Sequence, residues 1–342
     1  MPPHPPQDER LGIALEAILA GFAALRVVLK DPRARVPVTK GDGSPVTAGD
    51  LAVQMAVCAV LDQRSPGVSI VGEEGEGSVS GDGGEELLAR AVAAVRESMG
   101  AAAPSDPVAL LAKPGGAASG TWWTVDPIDG TKGFRSGRHY ALCLALIESS
   151  VATVGVLSCP TLVMGGDPLD IGADSQWGTV YGAVQGKGAW KFQPDARTRG
   201  GANEMMPLRR PVRSRASIRV CDSIEGGSRA QRMRGVMTAT GLEWTSVSLD
   251  SQCKYALVAE GAADCFMRVP GSRGAEKVWD HAPGAVVAQE AGAFVGDLCG
   301  KPLEFSGESL DRNVGTLACD MDLADAIHRV GSQQFGPQGT AQ

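Results

Sequence analysis

The sequence predicts a two-domain chain, with an α+β first half and an α/β second half. Three observations carry this. In residues 1–203, helical apolar stretches are followed by short apolar runs joined by tight turns, the pattern of helices packed on a largely antiparallel sheet. In residues 204–335, strand-like and helix-like segments alternate. Between the two, residues 194–203 form a soft, polar and glycine-containing stretch suited to a domain boundary. A length of 342 residues with 43% hydrophobic content can bury sizeable cores.

The elements follow in order. Residues 11–29 are strongly apolar, but Glu16 and Arg26 interrupt the run and its length is marginal for a bilayer. It reads as a packed core helix, not a membrane span. A polar turn over 40–44 leads to a second helix, from 45 or 49 to 63, with Thr47 and Asp50 at capping-box spacing. Residues 69–71 form a short buried strand that closes at Gly72-Glu73-Glu74. A glycine-rich loop (75–84) precedes a helix over 85–99. Residues 100–120, with Pro104, Pro107 and Pro114, read as a second flexible insertion. No Gly-x-x-x-x-Gly-Lys-Ser/Thr run is present, which excludes a P-loop. Residues 122–125 are a buried strand ending at Val125. Runs 141–147 and 151–158 pair across a tight turn, as do 180–184 and 188–192. In the second half, 217–220 and 265–269 are strands, and 228–240, 252–260 and 281–290 are helices, the last stopping at Gly292.

Bulk properties exclude several functions. A net charge of −7 argues against binding a nucleic-acid backbone and suits a site that gathers cations. The eight cysteines form no Cys-x-x-Cys pair and there are only four histidines, which argues against structural zinc. Most cysteines lie in apolar runs, as small buried hydrophobes of a reducing compartment do. The first ten residues contain Asp8 and Glu9 but no serine and no basic start, unlike a transit peptide or a secretory signal. The cytoplasm is the expected compartment, with an organelle such as the plastid as the alternative. A small-molecule substrate, no nucleic acid, no membrane and a monomeric state are expected.

The run Asp126-Pro127-Ile128-Asp129-Gly130-Thr131 concentrates the chemistry. It sets two carboxylates three residues apart where a buried strand gives way to a proline-stiffened turn. Hard divalent cations take such oxygen ligands, and Mg²⁺ commonly meets phosphate through one or two carboxylates. The spacing excludes an EF-hand. Gly130-Thr131 looks like a helix start, whose free N–H groups favour an anion. Other acids sit at element ends. Asp50 has a competing reading as a capping-box residue, Glu73 and Glu74 as a solvated pair, and Asp280 as a helix N-cap. Taken together, Asp50, Glu73, Asp126, Asp129 and Asp280 point to a site that shares several cations, because carboxylates brought close repel unless neutralised.

These motifs resemble the lithium-sensitive, Mg²⁺-dependent inositol monophosphatase superfamily, with its Asp-Pro-Ile/Leu-Asp-Gly-Thr, its Gly-Glu-Glu (72–74) and its Trp279-Asp280. Three longer runs resemble the 3′(2′),5′-bisphosphate nucleotidase branch: Lys40-x-Asp42-x-Ser44-Pro45-Val46-Thr47-x-Gly49-Asp50, Lys132-Gly133-Phe134, and Ser251-Gln252-x-Lys254-Tyr255 with Glu276-Lys277-Val278-Trp279-Asp280-His281. The resemblance covers residues 10–320. It implies a layered αβαβα sandwich of the inositol monophosphatase and fructose-1,6-bisphosphatase type.

The resemblance also implies roles. Glu73, Asp126 and the Ile128 carbonyl hold one Mg²⁺; Asp126, Asp129 and Asp280 hold a second, in a site of two to three ions. Asp50 and Thr131 orient and deprotonate the attacking water. Gly130 and Thr131 amides take phosphate oxygens, and Ser251, Lys254, Arg268 and Asp280 contact the nucleotide. Where many relatives have histidine or asparagine, this chain has Ile224-Glu225-Gly226-Gly227-Ser228, which makes Ser228 the candidate on the adenine side. Pro283 replaces the usual alanine after Trp-Asp-His-Ala and falls in a first helical turn, where it is tolerated. The implied activity is hydrolysis of the 3′-phosphate of adenosine 3′,5′-bisphosphate to AMP, with the sulfated form a further substrate, no covalent phosphoenzyme, and inhibition by Li⁺. The alternatives are a phosphatase of inositol monophosphate or inositol 1,4-bisphosphate, and a non-catalytic nucleotide sensor. A fructose-1,6-bisphosphatase-like enzyme finds no support in the 251–255 run. All of this requires Glu73 and Asp280 to lie within about 10 Å of the Asp126–Asp129 turn.

Overall fold

The computed structural model describes residues 7–336 except 42, 80–82, 112–119, 168, 173–177, 195–204, 212–216, 225 and 272–273. In chain order come α1 (Glu9–Val28), β1 (Val38–Thr39), β2 (Pro45–Val46), α2 (Ala48–Arg64), β3 (Ser69–Gly72) and α3 (Gly84–Met99). Next are β4 (Thr121–Asp129), α4 (Thr131–Arg135), β5 (Ala141–Glu148), β6 (Val151–Cys159), β7 (Thr179–Val184), β8 (Gly188–Phe192) and β9 (Met206–Leu208). The remainder is β10 (Ile218–Asp222), α5 (Gly227–Thr240), β11 (Trp244–Ser248), α6 (Cys253–Glu260), β12 (Cys265–Arg268), α7 (Ala282–Glu290), β13 (Phe294–Gly296), β14 (Thr316–Cys319) and α8 (Met321–Phe335).

A seven-stranded sheet runs β3-β4-β5-β6-β7-β8-β9, antiparallel except for the β3–β4 pair. A five-stranded mixed sheet runs β11-β10-β12-β14-β13. The period of two along a strand sorts the side chains of β5. Leu142, Leu144 and Leu146 join a core with α1 and α2, while Ala141, Cys143, Ala145 and Ile147 join a second core with α6 and α7. Both faces are covered, so β5 reads as one apolar run and not as an alternation. The second core continues to Cys221, Phe266 and Ala318 of the smaller sheet. Beyond that sheet, Met233, Val236 and Met237 of α5 meet Ala324 and Ile327 of α8. The layers are therefore α1/α2, sheet, α6/α7, sheet, α5/α8: an αβαβα sandwich, as the resemblance implies.

Small residues bring the middle layer close. A Cβ on Gly155 would stand 2.4 Å from the Pro283 carbonyl oxygen, and one on Gly284 would stand 2.3 Å from the Tyr255 ring. These approaches seat α7 on β6 and α6 on α7. Pro283 lies at the second position of α7, where no intrahelical N–H is needed, in keeping with its expected tolerance. α1 is long and apolar enough to span a bilayer by length and composition, and 61% of that window is buried within the fold.

Several details differ from expectation. β4 does not stop at Val125 but continues to Asp129, so the two aspartates sit on a strand end and not on a following turn. Asp280 is not an N-cap: it closes a short 3₁₀ turn, Val278–Asp280, and α7 starts two residues later after His281. β9, β11, β13, β14 and α8 were not anticipated. Residues 195–203 of the expected boundary and residues 112–119 of the second expected insertion lie outside the described residues; the earlier part of that insertion holds two short 3₁₀ turns, Gly100–Ala102 and Val108–Leu110. β9, beyond residue 203, still pairs with the first sheet.

Candidate active site

The site begins where β4 loses a neighbour. β3 pairs with β4 only as far as Gly72 opposite Val125, after which the Glu73 N–H donates to the Val125 carbonyl at 3.1 Å. Along β5 the register then slips: Asp126 faces Cys143 and Asp129 faces Ala141, which leaves one extra residue on β4. Pro127, with no N–H to offer, lies in that bulge. In a regular strand, residues three apart point to opposite faces. The bulge cancels this, and carboxylate oxygens of Asp126, Asp129 and Asp280 all lie within 4.8 Å of one another. Gly130 follows at φ +87°, and a Cβ there would stand 2.8 Å from Ser251 Cβ. Thr131 opens α4, and its Oγ1 donates to the Ile128 carbonyl at 3.3 Å.

Two other motifs reach the same place by packing. A Cβ on Gly49 would meet Ile128 and Leu25 methyls at 2.9 Å, so only glycine lets the start of α2 lie against the bulge. Thr47 caps α2, and Asp50 Oδ2 accepts from Thr47 N (2.7 Å) and Thr47 Oγ1 (2.6 Å), completing the capping box. Glu74, expected in solvent, is instead buried and paired with Lys40 at 2.9 Å. Gln54 brackets its backbone, accepting from Glu74 N at 3.0 Å and donating to Glu74 O. Glu73 thereby lies close enough to Asp126 for its charge to help raise that carboxyl. The Gln252 N–H donates to Asp129 Oδ2, its Nε2 donates to Trp279 O at 2.8 Å, and its Oε1 accepts from Gly284 N at 3.0 Å. Gln252 thus ties the bulge to the Trp-Asp turn.

The electrostatics are those of an anionic cage. Burial, then the Glu74 charge, pushes Asp50 up to about 7. Burial and Glu74 push Glu73 up to about 8, and burial with Asp129 pushes Asp280 up to about 7. Asp126 is raised by burial, Glu73, Asp129 and Asp280, with no cation among its main influences. Asp129 is raised by burial but held back by Arg268, the Gln252 N–H and Lys254. Asp126 Oδ1 is buried and accepts no hydrogen bond. An all-oxygen donor set with an orphaned carboxylate oxygen fits a hard divalent cation.

Beside the cage lies a cavity of about 490 Å³, whose wall includes Asp129, Gly130, Thr131, Ser228, Ser251, Lys254 and Arg268. Every expected substrate residue except Asp280 lines it; Asp280 meets Asp129 instead. Lys254 Nζ and the Arg268 guanidinium stand 5.6 and 5.7 Å from the Phe266 ring centroid. Burial, then Arg268, lowers Lys254 to about 8. Glu276, against the pull of burial, is held down at about 2 by His281, Arg268 and Arg229. Arg229 and Arg232, one helical turn apart on α5, also line the cavity. Sequence reasoning missed both, and the only available signal was their spacing just after Gly226-Gly227-Ser228.

The inositol monophosphatase family model matches residues 7–329. The chain belongs to that family and is an enzyme, a phosphoric monoester hydrolase. It is 33% identical to a 3′(2′),5′-bisphosphate nucleotidase of Emericella nidulans over 324 residues, covering 86% of this chain and 90% of that protein. A protein of the same description from Oryza sativa is 30% identical over 356 residues, with 98% and 97% covered. Among solved structures, CysQ from Bacteroides thetaiotaomicron, described as a bacterial member of the inositol monophosphatase family, aligns with TM-score 0.60 at 22% identity over 91% of this chain and 97% of that one. Inositol monophosphatase II from Staphylococcus aureus aligns with TM-score 0.61 at 18% identity over 97% and 98%. Both share the fold.

Proposed function

We propose that this enzyme hydrolyses the 3′-phosphate of adenosine 3′,5′-bisphosphate to AMP and phosphate, and accepts the sulfated form as well. The observation that carries the reading is one cavity whose wall joins Asp129 and Thr131 to Lys254 and Arg268. A nucleotide with two phosphates needs cations as well as an acidic cage, and relatives described as 3′(2′),5′-bisphosphate nucleotidases span nearly the whole chain.

Glu73, Asp126, Asp129, Asp280 and the Ile128 carbonyl are the groups that would hold two to three Mg²⁺ ions. When bound, Mg²⁺ supplies charge neutralisation at the phosphoryl oxygens and acidifies water. The chain's own residues do the rest. Asp50, with Oδ2 committed to Thr47, has its other oxygen left to take a proton from the attacking water, and a value near 7 suits a general base at neutral pH. The Thr131 hydroxyl donates to Ile128 O and so presents a lone pair to orient that water. Gly130 and Thr131 amides bind oxygens of the transferred phosphoryl group. Lys254, Arg268 and Ser251 hold the 5′-phosphate and ribose, and Ser228 lies toward the base. Water attacks in line and no phosphoenzyme forms. A monomer in a reducing compartment, the cytoplasm, is the proposed state, supported by eight cysteines that are all free thiols.

The test is phosphate release from adenosine 3′,5′-bisphosphate, its 5′-phosphosulfate, 3′-AMP, inositol monophosphate and inositol 1,4-bisphosphate, with and without Mg²⁺ and Li⁺. A higher kcat/KM is expected for the bisphosphate and its 5′-phosphosulfate than for 3′-AMP or either inositol phosphate, with dependence on Mg²⁺ and inhibition by Li⁺. Equal or better turnover of an inositol phosphate would overturn the substrate assignment. Tight binding of the bisphosphate without phosphate release would identify a sensor.

A further inference from the structure

The charges around the cavity do not balance. Of its cations, Arg229 is matched, with Nη2 at 2.9 Å from Glu276 Oε1. Of its acids, Asp250 is held by Ser223 Oγ at 3.0 Å and faces Arg138 at 3.7 Å. Lys254 and Arg268 share the Phe266 ring and act directly on Asp129. Arg232, like Arg268, has no hydrogen-bond or ion-pair partner among the described residues and a buried Nε without an acceptor; unlike Arg268, it is not among the main influences on Asp129. Its guanidinium fills the space left by Gly271: a Cβ there would stand 2.3 Å from Nη2 and 2.9 Å from Cζ. Arginine cannot shed its proton to relieve this, and its donors form a fork suited to a phosphate.

Position sharpens the point. Lys254 and Arg268, on α6 and β12, stand near enough to Asp129 to take the first anionic group of a nucleotide whose 3′-phosphate lies at the acidic cage. Arg232 projects from a different element, α5, and has no place among the main influences on any of the caged carboxylates. A 5′-monophosphate is already matched by Lys254 and Arg268, which leaves the Arg232 fork empty. A second anionic centre further along the 5′ substituent fills it.

We propose that Arg232 is a specificity-determining residue that binds the outer phosphate of a 5′-diphosphate, free or esterified, so that this site favours 3′-phosphorylated nucleotides with a two-phosphate 5′ tail. This rests on the nucleotide reading above. The reaction is the same hydrolysis: water oxygen joins the 3′-phosphorus, the ester P–O bond breaks, the ribose 3′-oxygen takes a proton, and the 5′-diphosphate is left intact.

The experiment compares kcat/KM for 3′-AMP, adenosine 3′,5′-bisphosphate and adenosine 3′-phosphate 5′-diphosphate, with Mg²⁺, in the wild type, Arg232→Gln and Arg232→Lys. The wild type is expected to use the diphosphate at least as well as the bisphosphate. Arg232→Gln should lower kcat/KM on the diphosphate by roughly 10- to 100-fold, mainly through KM, and lower it progressively less on the bisphosphate and on 3′-AMP. Arg232→Lys should recover part of the loss, and melting curves of both variants check that the fold is retained. An equal loss on all three substrates, no loss at all, or a wild type preferring the bisphosphate by tenfold or more would overturn the proposal while leaving the nucleotidase reading intact. A wild type that turns over none of the three removes both.

Discussion

At the sheet end of the site, Asp50, Glu73, Asp126 and Asp280 are carboxylates forced together by a strand bulge and a capped helix, and each is raised by burial and by its neighbours. At the helical end, Lys254, Arg268 and Arg232 face a cavity with few acids to meet them. Neither end is at rest electrostatically. The acid end is stabilised by added cations, and the cationic wall by an added anion. The proposed substrate, a phosphate ester held with divalent cations, would satisfy both at once, so binding energy would be available at the place where charge develops during phosphoryl transfer.

The comparison can be broken at either end, and the largest effect is expected at the acids. Asp126→Asn should reduce kcat by at least about 10³-fold, because it removes the ligand shared by the proposed ions. In a chelator its melting temperature should equal or exceed the wild type's, since a repelling charge has gone. Retention of more than a tenth of the activity would remove Asp126 from the site. At the other end, Lys254→Met should lower kcat/KM on adenosine 3′,5′-bisphosphate by roughly 100-fold, the loss of a charge-assisted contact, and should lower it less on 3′-AMP. Equal losses would place Lys254 with the acids instead.

The joint between the ends is also testable. A Cβ on Gly133 would stand 2.2 Å from the His139 carbonyl oxygen, so Gly133→Ala should cost about 2 kcal/mol of stability, read by chemical denaturation. Smallest is the effect of pH on the metal-free protein. Asp50, Glu73 and Asp280 have folded values near 7, 8 and 7 against ordinary values of 3.8, 4.5 and 3.8. The folded state holds protons that the unfolded state releases, so their contribution to stability is present below about pH 4 and is lost as pH rises through 7–8. In a chelator the melting temperature should fall between pH 5 and 8. Added Mg²⁺ should raise it more at pH 8 than at pH 5. A metal-free melting temperature that rises over that range would contradict the charge crowding.

Much of the molecule was legible in its sequence. The helices of the first half and the Thr47–Asp50 cap depend on neighbours three or four residues away, and they stand where the pattern put them to within a few residues. β11 escaped because its Thr245, Ser246 and Ser248 are polar and its residues are exposed or half-buried, leaving no alternation to read. The extension of β4 to Asp129 escaped because proline looks like a terminus until a flanking strand is known. Glu74 looked solvated because its partner, Lys40, lies thirty-four residues away.

Local order thus fixed the chemical vocabulary: two aspartates around a proline, a capping aspartate, a glutamate pair, a tryptophan-aspartate turn. Chain folding alone decided that these meet around one cage, that Gln252 ties two of them together, and that Arg232 faces a cavity with no ion-pair partner among the described residues. Propensity and periodicity act over a few residues. The approach of two side chains more than a hundred positions apart depends on which glycines let backbones touch and on where a strand loses its neighbour, and those are properties of the packed layers.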